Sequence, residues 1–208
     1  MTPSNRATTA DLRAYYEREA ELGLRGIPAP NRLRARDEFI ELLSAERRHR
    51  LVDFGAGPGE DLVGFVEADI DSVGVDLALG NAKLAANRGL HVVAGSIAAP
   101  PFRPGSFDAG WSMSTFMHVP ETEGAAVALA MAEPLETGAP LMVGLWGGSP
   151  QEHIDTTQLE GQRRLFSLRS VEVNGNLLNA AGATEHLDTW DVGPDDWEYQ
   201  RFLIRARV

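Results

Sequence analysis

Residues 50–59, Arg-Leu-Val-Asp-Phe-Gly-Ala-Gly-Pro-Gly, restrict the fold of this 208-residue chain more than any other segment. Leu51 to Phe54 reads as a short buried strand, followed by glycines at every second position. Gly55, Gly57 and Gly59 permit backbone conformations and a closeness of approach that a Cβ forbids. Pro58 suits the first turn of a helix, where its missing N–H is no loss. The helix opened there continues through Leu62, Val63 and Val66, so its first N–H groups face the mouth of the turn. Strand, glycine turn and helix N-terminus together form a unit that holds nucleotide-like ligands at the carboxyl end of a sheet. Taken alone, the same glycines are compatible with an ordinary tight turn.

The spacing separates this turn from its relatives. A dinucleotide site expects G-x-G-x-x-G, whereas here the pattern is G-x-G-x-G with Glu60 and Asp61 directly after it. Two carboxylates at a helix mouth repel a pyrophosphate and disturb a zwitterionic or cationic ligand far less. The segment resembles motif I of the class I S-adenosylmethionine-dependent methyltransferases, with Asp53 in the acidic position.

Further pieces follow in the family's order. Ser72 to Asp76 reads as a second strand ending in an acid, where nucleotide-binding sheets hold ribose hydroxyls. Asp76 is equally placed to cap a helix over Leu77 to Arg88 that closes at Gly89. Leu90 to Ala94 is a third strand running into Gly95-Ser96-Ile97, and Pro101-Phe102 through Ser106-Phe107-Asp108 to Ser112 resembles the family's fourth motif. The resemblance covers about residues 48–146. It implies S-adenosyl-L-methionine as cofactor and S-adenosyl-L-homocysteine as product. It assigns cofactor contacts to Asp53, Gly55, Ala56, Gly57, Gly59, Asp76, Leu77, Ser96, Ile97 and Ser112, and to Tyr16 from an N-terminal helix. Ser96 stands where the family more often has Asp. The implied fold is a Rossmann-like, doubly wound α/β domain with seven mostly parallel strands, an antiparallel C-terminal hairpin and N-terminal lid helices.

Composition agrees with one globular core, 43% of residues being hydrophobic. A single domain over 1–208 is expected: lid helices in 1–46, a cofactor-binding core in 48–146, and a substrate-side segment with closing strands in 147–208. No apolar run approaches a membrane span, and the N-terminus lacks a signal-like apolar stretch. The absence of cysteine excludes disulfides, thiolate zinc sites and cysteine nucleophiles, and fits a cytoplasmic setting. One lysine against eighteen arginines hints at a GC-rich bacterial source. Residues 1–50 carry a net +2 and the rest a net −13, which speaks against a nucleic-acid partner, since phosphate contacts demand a basic surface.

Outside the cofactor core, Asp11 to Leu24 and Arg32 to Leu43 read as helices separated by Gly26-Ile27-Pro28-Ala29-Pro30. Glu121 to Leu135 reads as a helix, Pro140 to Trp146 as a fifth strand, and Gly147 to Gln162 as a loop. Ser167 or Ser170 caps a helix through Leu177 and Leu178 that ends at Gly182. Ala183 to Val192 and Trp197 to Val208 read as closing strands joined by a turn at 193–196.

A sulfonium methyl is already activated, so the protein's task is to align a nucleophile and exclude water. His118 is the candidate base, following the fourth strand in Met113-Ser-Thr-Phe-Met-His-Val-Pro120; a structural or cofactor-shielding role is the alternative. Tyr15, Trp146 and His153 are candidates for the acceptor pocket. No metal-ligand set is evident. Trp111-Ser112-Met113-Ser114 lacks the Asn/Asp-Pro-Pro-Tyr/Phe run of exocyclic-amino methyltransferases, and the missing cysteine excludes covalent C5 methylation of pyrimidines. A small-molecule methyl acceptor is expected, with O-, N- or C-methylation open. The other readings are a different reaction on the same adenosyl-ligand fold and a non-catalytic binding protein.

Overall fold

A computed structural model describes residues 8–26, 28–192 and 197–207. The elements run α1 (Thr9–Leu22), α2 (Pro30–Glu46), β1 (Arg50–Phe54), α3 (Glu60–Glu67), β2 (Asp71–Asp76), α4 (Leu79–Asn87), β3 (Val92–Ala94), β4 (Ala109–Met113), a 3₁₀ turn (Phe116–His118) and α5 (Glu121–Ala132). They continue with β5 (Pro140–Gly148), β6 (Gln151–Asp155), β7 (Arg164–Leu168), α6 (Val171–Leu178), β8 (Gly182–Asp191) and β9 (Trp197–Ala206). Seven strands form one sheet in the order β3-β2-β1-β4-β5-β9-β8. The first five are parallel, and β9 and β8 are antiparallel additions. The expected seven-stranded α/β fold with a C-terminal hairpin is therefore observed. The turn read at 193–196 lies outside the described residues, as do Ile27 and Val208.

Side-chain alternation along β1 divides the core into two layers. Val52 and Phe54 face a cluster with Val127, Met131, Leu135, Val143, Phe202 and Ile204, which α5 and α6 cover. Leu51 faces the opposite layer, where Phe39, Leu43, Phe65 and Trp111 pack together; the Phe39 and Phe65 rings each lie 5.3 Å from Trp111. These side chains are fully buried, and each contributes roughly 1.5–3 kcal/mol through burial. Asp53 shares its face with Leu51, so β1's pleat sends one carboxylate into the α2–α3 side of the core.

Local signals explain most element ends. Thr8 and Asp11 form a reciprocal capping box that starts α1. Ser170, not Ser167, caps α6 by accepting from the Val173 N–H at 3.3 Å. The 147–162 segment departs from the expected loop. Gly147 and Gly148 prolong β5, and β6 pairs antiparallel with β7 in a separate two-stranded sheet, with His153 opposite Phe166. Gln151-Glu-His-Ile-Asp155 is mostly polar and has one neighbour only, so its strand character comes from the partner and not from apolar alternation.

Among the described residues, no helix is long and apolar enough to cross a membrane, and no group of three or more His, Cys, Asp or Glu side chains is placed to hold a metal ion.

Candidate functional site

The turn after β1 is fixed by its neighbour strand: the N–H groups of Gly55 and Ala56 both donate to the Val75 carbonyl, at 2.8 and 3.2 Å. Gly55 has φ +80° and Gly57 φ +57°, left-handed conformations that other residues adopt at a cost. A Cβ on Gly55 would sit 2.1 Å from Thr115 Oγ1, and one on Gly57 would meet the Arg25 guanidinium at 3.5 Å. Gly59 packs against Leu90 instead, so it serves the seat of α3.

Asp76 ties this turn to the next helix. One carboxylate oxygen accepts from the Gly57 N–H at 2.8 Å, and the other from the Ala78 N–H at 2.9 Å and Asn81 Nδ2 at 3.1 Å. The helix begins at Leu79, later than the expected Leu77, and its first N–H groups are capped from another element. Glu17 on α1 accepts from Leu79 N–H at 2.6 Å and Gly80 N–H at 2.8 Å. A carboxylate at a helix N-terminus satisfies donors the helix leaves orphaned, and here it also fastens α1 to the sheet.

Two cavities meet at this edge. The first is lined by Gly55, Asp76, Leu77, Asn81, Ser96 and Ile97, and by His118 and Val119 beyond β4. The second, of about 570 Å³, has walls from Arg32, Met113, Trp146, Phe166, Trp190 and Tyr199 among others. Tyr16, Arg25 and Ser114 line both. Ser114 is a non-glycine residue at φ +58°, and its hydroxyl lies 3.1 Å from the Tyr199 hydroxyl. Strained backbone at such a junction is characteristic of functional sites.

His118 lines the first cavity behind Tyr16. Its Nδ1 lies 2.7 Å from the Leu165 carbonyl and its Nε2 2.7 Å from the Tyr16 hydroxyl. A carbonyl only accepts, so Nδ1 carries the proton, and in the neutral ring Nε2 accepts from Tyr16. Burial pushes His118 down to about 3 and Tyr16 up to about 12. The turn that carries His118 is clamped by Arg169, which donates to the Val119 and Phe116 carbonyls at 3.0 and 3.1 Å and to Asn174 Oδ1 at 2.7 Å. Burial pulls the Arg169 guanidinium down to about 10.

Asp53 is buried, and neither carboxylate oxygen has a hydrogen-bond partner. Burial, then the neighbouring Asp61 carboxylate, raises it well above the usual range. Asp61 itself is satisfied on one oxygen by Arg32 Nε at 2.9 Å and Trp111 Nε1 at 2.8 Å. An unpartnered buried carboxylate behind a glycine turn is costly; Asp53 lines neither cavity, and a cation brought to the turn offsets that cost through space. The turn therefore fits S-adenosylmethionine, whose amino-acid end is zwitterionic and whose sulfonium is cationic.

The sequence-derived candidates are distributed unevenly. Gly55, Asp76, Leu77, Ser96, Ile97, Tyr16 and His118 line the first cavity, and Trp146 lines the second. Ala56, Gly57 and Gly59 are buried in the turn itself. Ser112, expected at the cofactor's methionine end, is fully buried and lines neither cavity: its hydroxyl donates to the Phe54 carbonyl at 3.0 Å, joining β4 to β1. Ser114, two residues on, stands at the junction instead. Tyr15 is buried with its hydroxyl donating to Gln158 at 3.2 Å, and His153 stacks on Phe166 with centroids 5.3 Å apart; neither lines a cavity. Sequence reasoning did not single out Arg25, Asn81, Ser114, Thr115, Arg164 or Tyr199. Only the positive φ of Ser114 marks one locally, and it is invisible in the sequence.

Comparison with known proteins agrees with this geometry. Residues 52–132 match the family described as a methyltransferase domain. No curated protein matches in sequence. Among solved structures, the Burkholderia thailandensis 1,6-didemethyltoxoflavin-N1-methyltransferase, bound to its substrate and S-adenosylhomocysteine, superposes with TM-score 0.76 at 16% identity, covering 99% of this chain and 93% of that one. The geranyl diphosphate C-methyltransferase of Streptomyces coelicolor A3(2) gives 0.70 at 13% identity over 99% and 100% of the two chains. A DhpI–S-adenosylhomocysteine complex gives 0.71 at 16% over 96% and 98%. The domain match runs through the strand, turn and helix that build the cradle, so residues 52–132 are similar to a methyltransferase domain and the chain as a whole shares the fold of these structures.

Proposed function

We propose that the chain transfers a methyl group from S-adenosylmethionine to a small-molecule metabolite. The observation that carries this reading is the junction of two cavities at Tyr16, Arg25 and Ser114. One cavity is built on the glycine turn, and the other is an aromatic-walled space of about 570 Å³, in the size range of small-ligand sites. The named relatives act on small molecules, a toxoflavin precursor and geranyl diphosphate, which supports the acceptor class.

In this reading the chain is one domain. Asp76 receives the ribose hydroxyls, Leu77, Ser96 and Ile97 bracket the adenine, and the turn of Gly55 and Gly57 passes beneath the amino-acid end with the buried Asp53 carboxylate behind the turn. The cofactor, when bound, supplies an activated methyl. Helices α1 and α2 cover the cofactor side, fastened by Glu17, and β6–β7 with β8–β9 exclude water from the acceptor. The acidic core, with a net −13 outside residues 1–50, argues against a nucleic-acid acceptor, and a cytoplasmic setting belongs to the same proposal.

The test is release of S-adenosylhomocysteine from S-adenosylmethionine against a panel of aromatic, terpenoid and amino-acid metabolites. Turnover with any of them supports the reading. Micromolar cofactor binding with methyl transfer only to nucleic acid or protein would replace it.

A further inference from the structure

We propose that the acceptor is a flat aromatic ring bearing a hydroxyl group, and that Tyr16 takes the hydroxyl proton with His118 behind it. This rests on the methyltransferase reading and adds the nucleophile and its proton path.

A transferred methyl must pass where the two cavities share a wall, and of the three residues there Tyr16 alone is bonded to a ring that can take up a proton. The Leu165 carbonyl fixes the His118 proton on Nδ1, so the Tyr16 hydrogen points to Nε2 at 2.7 Å. The lone pairs of the Tyr16 oxygen are then free to accept from an acceptor O–H. The Arg164 charge, also on the second cavity's wall, favours the anionic form of Tyr16 against the larger effect of burial. During transfer the acceptor oxygen bonds to the methyl carbon as the carbon–sulfur bond breaks, its electron pair staying on sulfur. The hydroxyl proton moves to the Tyr16 oxygen, and the Tyr16 proton moves to His118 Nε2. His118 becomes positive in the step that removes the sulfonium charge, so the buried net charge is unchanged.

The relay favours an oxygen nucleophile. An alkylated hydroxyl must lose its proton within the site, and the Tyr16–His118 bond, with Nδ1 held by the Leu165 carbonyl, gives that proton a path. An alkylated aliphatic amine holds its proton until pH values around 10 and leaves the site with it, so it has no use for the relay. The walls select the carrier. Trp190 stacks on Tyr199 at 4.9 Å and 22°, and Trp146 on Phe166 at 6.1 Å and 19°; with Met113 and Met117 they form faces suited to a planar ring.

The experiment uses the full chain with S-adenosylmethionine and matched rings, 1-naphthol, 1-naphthylmethylamine and naphthalene, together with monocyclic phenols and benzylamines. S-adenosylhomocysteine affinity, thermal stability and, for the rings, tryptophan quenching are measured alongside. Methylation on oxygen of at least one hydroxyl ring is expected, at a rate flat from about pH 6 to 9. Tyr16→Phe and His118→Asn should each lower that rate by about 100-fold or more, with S-adenosylhomocysteine affinity held within about threefold. In Tyr16→Phe the residual rate should climb about tenfold per pH unit toward the phenol's own ionisation near 10, because only pre-ionised acceptor reacts. Three results overturn the proposal while leaving the methyltransferase reading intact: amines methylated in preference, no hydroxyl ring bound or methylated by protein that binds the cofactor, or a Tyr16→Phe rate that is unchanged and flat with pH. Failure of the parent chain to bind S-adenosylhomocysteine would remove both.

Discussion

The two cavities are made of different material. The first takes its floor from main chain: the turns after β1, β2 and β3, where Gly55, Asp76 and Ser96 succeed one another at the carboxyl ends of adjacent parallel strands. The second takes its walls from side chains that start far apart in sequence, from Arg25 and Arg32 through Trp146 and Phe166 to Trp190 and Tyr199. A floor of backbone holds one ligand on any sequence that keeps the turn, whereas walls of side chains change with each substitution. One fold can thus keep its cofactor and exchange its acceptor.

That contrast can be broken at Arg32, which stands on the second cavity's wall but satisfies Asp61 of α3. Burial lowers the Arg32 guanidinium, and Asp61 more than restores it. Arg32→Ala leaves the Asp61 charge buried without its counter-charge, held by the Trp111 N–H alone, and should cost about 3–5 kcal/mol in urea denaturation. A loss under about 1 kcal/mol would mean that the two sides are not coupled through this pair.

His118 gives the next largest effect. Its folded-state value near 3 lies below the ordinary 6.5, so the unfolded chain binds the proton first. Stability present above about pH 6.5 is lost as pH falls toward 3, at roughly 1.4 kcal/mol per pH unit. His118→Asn should flatten that slope in denaturation curves at successive pH values. An unchanged slope would place the acid sensitivity elsewhere.

Asp76→Ala sharpens the contrast, because it removes the link between the glycine turn and α4. S-adenosylhomocysteine affinity should fall by about 1–3 kcal/mol in calorimetry. Unchanged affinity would remove Asp76 from the site. Asp53→Asn should act in two directions. Asp53 is raised in the fold, so its ionisation costs stability as pH rises above the ordinary carboxylate range. The variant should therefore melt above the parent at pH 7, with the difference closing toward pH 4, while binding the cofactor more weakly. A lower melting temperature at pH 7 would show that the charged form is already compensated.

What the sequence disclosed follows the same division. Strand, glycine turn and helix are local, and the turns after β1, β2 and β3 that contribute Gly55, Asp76 and Ser96 to the cofactor cavity each follow directly on a strand readable in the sequence. The last strand was also legible, since β9 buries Tyr199, Phe202, Ile204 and Ala206 mostly at strand spacing, whereas β8 is largely exposed and takes its place from pairing with β9. Ser112 was misplaced because a hydroxyl at a strand end looks the same whether it faces a ligand or the Phe54 carbonyl. Within the β6–β7 pair, β6 was hidden because its mostly polar residues answer to β7 alone, and β7 because Arg164 and Ser167 interrupt Phe166 and Leu168, which join the main core. Arg25 and Glu17 gave no signal, since their partners, the Gly57 turn and the start of α4, are adjacent only after the chain has folded.

Isothermal titration of the chain with S-adenosylhomocysteine and S-adenosylmethionine, with NADH as control, tests the central claim most directly. The cradle of Gly55, Gly57, Asp53 and Asp76 predicts micromolar binding of the adenosyl pair and none of NADH. Binding of NADH alone, or of none of the three, would contradict it.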